Sequence, residues 1–125
     1  MLKYKDLTAY KKAFKLAMEI FEVSKRFNLE ERFALTSQIR RSSRSVCSNI
    51  AEGYRKRIYK AHFVSKATDA DMENSETMVW IDFALECKYI SPDEHSKWKT
   101  EIEAIGKLLN HMIKCPEKYV RKSDR

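Results

Sequence analysis

Three histidines, three cysteines and two glycines are the residues of this 125-residue chain that could do chemistry, and none is spaced for it. A carboxylate-bridged di-metal centre inside a helical bundle needs Glu three residues before His. Tyr59, Pro92 and Leu108 stand at that distance before His62, His95 and His111. Neither H-E-x-x-H nor a glycine-rich phosphate loop occurs, since Gly53 and Gly106 stand far apart. Cys47, Cys87 and Cys115 are odd in number, widely separated and free of C-x-x-C pairing, so they read as reduced core or boundary thiols. The run Asp69, Asp71, Glu73 and Glu76 has no neighbouring His and reads as a solvated or ion-paired face. The expectation is a protein without catalytic residues, metal or cofactor.

Charge is the more informative chemistry. The chain carries 25 Lys+Arg against 18 Asp+Glu, a net +7. Residues 1–57 hold fourteen basic and six acidic groups, net +8, whereas residues 58–125 hold eleven and twelve, net −1. A surface that binds polyanions shows such asymmetry, because neutralising phosphates releases their condensed counterions. At 100° per residue, Arg40, Arg41, Arg44 and Ser48 share an arc of roughly 100°. Leu35, Ile39, Val46, Cys47, Ile50 and Tyr54, with Ser43 among them, fill an arc of roughly 120° elsewhere on the helix. One segment thus presents a dry face and an arginine face. Arg55, Lys56 and Arg57 add a basic run at its end. The planar guanidinium suits phosphate and carboxylate alike, so the face fits nucleic acid, an acidic partner surface, or ion pairs with the acidic third helix of the same or a neighbouring subunit.

The elements that must position these residues are helices. Gly and Pro occur only twice each, too few for many tight β-turns, while apolar positions recur at helical spacing. A first helix is predicted from about Asp6 to Arg26, with Asp6 or Thr8 as cap and Leu7, Tyr10, Phe14, Ala17, Phe21 and Phe27 inward. Asn28 and Glu31 suggest a capping box for the second, which runs to about Arg57 with an irregular turn near Phe33 and Ala34. The third runs from about Tyr59, where no good cap stands, to Tyr89, with Phe63, Ala67, Ala70, Met78, Ile81 and Leu85 inward. Ser91, Pro92 and Glu94 give three agreeing start signals for the fourth. Its stripe is Trp98, Ile102, Ile105, Leu109, Met112 and Ile113, and Cys115-Pro116 closes it. Short connections imply an all-α, antiparallel up-down-up-down four-helix bundle forming one domain over residues 1–117, with a charged tail over 118–125. The longest apolar run, Met78 to Ile81, is far below the roughly 20 residues of a membrane span. No leader-like apolar stretch opens the chain, so a cytoplasmic location and no membrane partner are expected.

The string from Leu35 to Gly53, with Gln38-Ile39-Arg40-Arg41 followed by Ser48-Asn49-Ile50-Ala51-Glu52-Gly53, resembles the signature of the small proteins encoded by intervening sequences of bacterial 23S rRNA genes. Tyr4-Lys5-Asp6-Leu7, Phe63, Ala67, Glu73 and Leu108-Leu109 extend the resemblance over nearly the whole chain. The family is related to the accessory variability protein of diversity-generating retroelements. The resemblance implies a four-helix bundle that assembles as a homopentamer and has no catalytic activity. It also implies nucleic acid, RNA or DNA, and a reverse transcriptase as partners of retroelement members. Here the resemblance and the charge map together name Arg40, Arg41, Arg44, Arg55, Lys56 and Arg57 as nucleic-acid-binding candidates. Asn49, Glu52 and Gly53 are expected to fix the turn at the second helix's end. The alternative is an interaction scaffold whose charged faces serve subunit or partner assembly.

Overall fold

The computed structural model describes residues 3–120. Four helices, α1 (Thr8–Ser24), α2 (Leu35–Arg55), α3 (Lys60–Glu86) and α4 (Pro92–Lys114), make up a single compact domain. Short 3-10 turns precede α1 (Tyr4–Asp6), precede α2 (Leu29–Glu31) and follow α4 (Pro116–Lys118). No strand occurs among the described residues, and no helix there is long and apolar enough to cross a membrane. Each helix packs on two others: α1 and α3 both lie against α2 and α4, and α1 and α3 face each other diagonally without close backbone approach.

The core forms where the four apolar stripes meet. Ile20, Ile39, Ile50, Phe63, Ile81, Ile105 and Leu109 are almost fully removed from water. At about 25 cal/mol per Å² of apolar surface, such burial is the main term offsetting chain entropy. A polar layer crosses this core. Thr77 Oγ1 lies 2.8 Å from Ser42 Oγ, and Asn74 Nδ2 donates to the Ile102 carbonyl at 2.9 Å. These contacts tie α3 to α2 and to α4 at fixed heights.

Helix ends follow local chemistry, with departures from expectation. Ser91 Oγ accepts from the Glu94 N–H at 3.1 Å while the Glu94 carboxylate accepts from the Ser91 N–H at 2.9 Å, a complete capping box. That backbone hydrogen bond, helped by Arg26, holds the Glu94 carboxyl below the usual range. Arg26 Nη2 donates to the same carboxylate at 2.7 Å, pinning the end of α1 to the start of α4. At α1 the N-cap is Leu7, not Asp6 or Thr8. The Asp6 carboxylate instead accepts from the Lys3 N–H at 2.8 Å and closes the preceding 3-10 turn. Asn28 caps a 3-10 turn through the Glu30 N–H, and Ala34, at φ −125° and ψ −107°, breaks the chain before α2 begins. α2 and α3 are therefore 21 and 27 residues long.

The inward face of α1 also differs from the expected stripe. Ala9, Ala13, Leu16, Ala17, Ile20 and Ser24 are buried, while Phe14 is 51% exposed and Met18 47%. Small residues let α1 sit close to its neighbours, and the aromatic side chains are left beside the contact. The expected face of α2 is buried throughout, from Leu35 to Tyr54. In α3, Met78 and Leu85 are only partly buried, and Asn74, Thr77 and Ala84 complete its inward face. Of the expected tail, Tyr119 packs its ring 5.6 Å from Phe63 and its hydroxyl 2.8 Å from His111 Nδ1, so the chain stays attached to the bundle past Lys118. Residues 121–125 of that tail lie outside the described residues.

Candidate nucleic-acid interface

Because α2 buries one face against α1 and α3, its opposite side carries the arginines into solvent. A shallow groove of about 610 Å³ runs there, walled by Arg32, Arg40, Arg41 and Arg44, with Phe33 at one end and Ser45 and Ser48 at the other. No carboxylate lines it. The four guanidinium groups are not equivalent.

Arg40 is half-buried and held by neutral partners. Its Nε donates to Ser24 Oγ at 2.8 Å and its Nη2 to the Phe21 carbonyl at 3.3 Å, at the end of α1. Its guanidinium lies 4.8 Å from the centre of the Phe21 ring, and Arg44 lies 5.5 Å from the same ring. Phe21, expected in the core, is a half-exposed platform that gathers cations. Arg40 and Arg44 make no ion pair with any described residue, so both keep their positive charge available.

Arg41 is committed elsewhere. Its Nη1 donates to Glu73 at 2.8 Å and its Nη2 to Glu76, both on α3, while Nε donates to Gln38 at 3.2 Å. The hydrogen bond to Glu76, with attraction from Glu73, raises the guanidinium's already high pKa further. Two carboxylates more than neutralise this arginine, so it contributes fold contacts and no net charge to the groove. Glu73 and Glu76 thus form the ion-paired face expected of the acidic stretch.

Arg32 completes the groove and went unnoticed in the sequence. It sits in the turn before α2 with its guanidinium 5.0 Å from the centre of the Phe33 ring. Phe33 is 85% exposed and gives up roughly 2 kcal/mol of burial that a core position would supply. Only the backbone break at Ala34 brings this pair to the groove, and no helical periodicity signals it.

The second basic group lies at the other end of α2. Arg55 and Lys56 are exposed, whereas Arg57 donates to the Tyr54 carbonyl at 2.8 Å and stacks 4.2 Å from the Tyr54 ring. Arg44 and Arg55 are eleven residues apart, close to three helical turns, so they share one side of α2 about 16 Å apart.

Asn49, Glu52 and Gly53 sit in the body of α2, which ends two residues beyond Gly53. Asn49 Nδ2 donates to the Ser45 carbonyl at 2.9 Å, one turn earlier. Glu52 pairs with Lys66 of α3 at 2.8 Å. Gly53 has a negative φ, and a Cβ there would meet the Lys66 Cβ at 2.9 Å. Its hydrogen side chain therefore permits close approach of α3, a different reason from the expected turn. Burial pushes the Cys47 thiol up to about 11, which leaves it protonated and unreactive at neutral pH. No cluster of three metal-ligating side chains occurs among the described residues.

No curated protein matches the chain. Among solved structures, it is similar to a Bacteroides thetaiotaomicron protein of unknown function from the S23 ribosomal protein family. The two share 28% identity over 85% of this chain and 95% of that one, with a TM-score of 0.76. The family model for 23S rRNA-intervening sequence proteins matches residues 5–111, spanning all four helices. The chain belongs to the 23S rRNA-intervening sequence protein family.

Proposed function

We propose that this chain is a non-enzymatic helical-bundle protein that binds the phosphate backbone of nucleic acid through the arginine groove of α2, and that it works as a homo-oligomer. One observation carries the reading: Arg32, Arg40 and Arg44 wall a groove without carboxylates and keep their charge unpaired. Arg55 and Lys56, exposed at the end of α2, extend the track for a longer polyanion. Such contacts fix position without reading sequence, so discrimination comes from ligand shape. The family's association with a ribosomal RNA gene is in keeping with RNA as one ligand, and the related retroelement protein adds a reverse transcriptase to the partners proposed.

Two exposed apolar strips support the oligomer. One is Phe14 and Met18 on α1, and the other is Met72, Val79 and Phe83 on α3. Because α1 and α3 lie diagonally across the bundle, one strip of a copy is free to cover the other strip of the next, a head-to-tail contact that makes a ring where the rotation between copies closes. The count of five rests on the family resemblance. The order of cross-helix pairs supports an antiparallel up-down bundle: Lys12 with Glu101 and Glu19 with Lys97, Arg41 with Glu73 and Glu52 with Lys66.

A second reading, an interaction scaffold, is favoured by Arg41, whose arginine serves carboxylates. Single substitutions separate the two. Arg44→Ala is expected to weaken binding of a labelled RNA in fluorescence anisotropy by roughly fivefold and to flatten its salt dependence by about one phosphate contact. Arg41→Ala should chiefly lower stability, with a smaller loss of affinity that comes from unmasking Glu73 and Glu76 beside the groove. If neither variant alters RNA binding but either changes the assembly seen by light scattering, the scaffold reading prevails.

A further inference from the structure

We propose that Phe33 is a base-stacking platform, so that the ligand of the arginine groove is a nucleic-acid strand with unpaired bases rather than a closed duplex. The inference rests on the phosphate-binding reading above and adds the class of ligand to it.

Among the described residues Phe33 is the most exposed large apolar side chain, at 85%. It opens directly onto a groove whose remaining walls are guanidinium groups and hydroxyls. Leu29 is also exposed, at 82%, but it does not line the groove, whose walls beyond the ring are cations and hydroxyls rather than the apolar row a partner helix would need. A ligand that alternates flat aromatic faces with anions matches a ring followed by arginines, and an unpaired strand repeats that alternation at every nucleotide. A duplex hides its base faces in its own stack and offers phosphates alone. Arg32, 5.0 Å from the Phe33 ring centre, is placed to meet the phosphate beside a stacked base. From Leu35, just beyond the ring, to Arg44 the helix rises about 13 Å, enough for a few nucleotides to pass from the platform to the far cation. Base–aromatic stacking of this kind tolerates any sequence, because every base has a π-face.

The test is fluorescence anisotropy of the full chain with a short single-stranded RNA, the single-stranded DNA of equal sequence, and the RNA duplex, all at one salt concentration. Wild-type protein is expected to prefer the single strands. Phe33→Ala should lose roughly tenfold or more on them and nothing on the duplex, and Phe33→Trp should restore the preference. The RNA and DNA strands tell whether the 2′-hydroxyl contributes. Wild-type binding to both forms with no effect of Phe33→Ala, or an equal loss on strand and duplex, would overturn the stacking role and leave phosphate binding intact. No binding to either form would remove both. A change in oligomeric state of Phe33→Ala by light scattering, without loss of strand preference, would assign the ring to a contact between copies instead.

Discussion

Reversing the charge of Arg32 and Arg44 together, as Arg32→Glu/Arg44→Glu, is expected to lower affinity for a structured RNA by on the order of a hundredfold near physiological salt. The magnitude follows from the change of four charge units on one groove wall. Two phosphate contacts are lost, and two carboxylates repel the strand that Arg40 still attracts. The fold should tolerate the change, because neither arginine makes a hydrogen bond or ion pair with a described residue, and their ring contacts are with Phe33 and Phe21 respectively. Exposed contacts of this kind are worth about 0.5–1 kcal/mol each. Arg40 is the wrong residue for the experiment. Its removal would strip hydrogen bonds from Ser24 and the Phe21 carbonyl and confuse stability with binding. Anisotropy titrations beside urea unfolding curves check the prediction, and a variant that unfolds normally yet binds like wild type would take the groove out of the account.

Phe63→Ala is expected to destabilise the bundle by about 3–5 kcal/mol, the usual cost of emptying a buried phenylalanine site. Phe63 is fully buried near the start of α3, where no side chain caps the helix. It supports the Tyr119 ring at 5.6 Å, and its carbonyl lies beside the close approach at Gly53. The cavity would therefore loosen three segments at once: the first turns of α3, the end of α2 and the chain following α4. Domains of this size are stable by only about 5–15 kcal/mol, so the loss is a large share. A urea midpoint shift at unchanged slope reads it, and a loss below about 1 kcal/mol would mean that packing at Phe63 is not what fastens α3.

How much of this was legible in the sequence varies from helix to helix. The buried face of α2 and the Ser91 capping box could be read directly, because each depends on neighbours within one or two turns. α1 could not be read as well. Leu7, Ala17 and Phe27 are buried as expected, but the weight of aromatic residues also pointed to Tyr10, Phe14 and Phe21, whereas close packing selected Ala9, Ala13, Leu16 and Ile20 and left Phe14 outside. Gly53 was noticed but for another reason, since the residue that requires it, Lys66, arrives from the next helix. In the candidate site, the arginine face itself was visible at helical spacing. That the acidic third helix could pair with this face was legible as well, but not that Arg41 is the arginine taken, because Glu73 and Glu76 lie more than thirty positions away on α3. Arg32 and Phe33 escaped because an irregular backbone at Ala34, with no periodicity of its own, sets their direction.

The most direct test of the central claim is the salt dependence of nucleic-acid binding by the wild-type protein. Anisotropy with a structured RNA and a matched DNA duplex, titrated from low to physiological salt, measures it. The groove and the basic end of α2 together predict binding that weakens linearly on a log–log plot, with a slope of roughly −3 to −5. Absence of binding even at low salt, or binding indifferent to salt, would contradict the account and leave the arginines as devices of assembly.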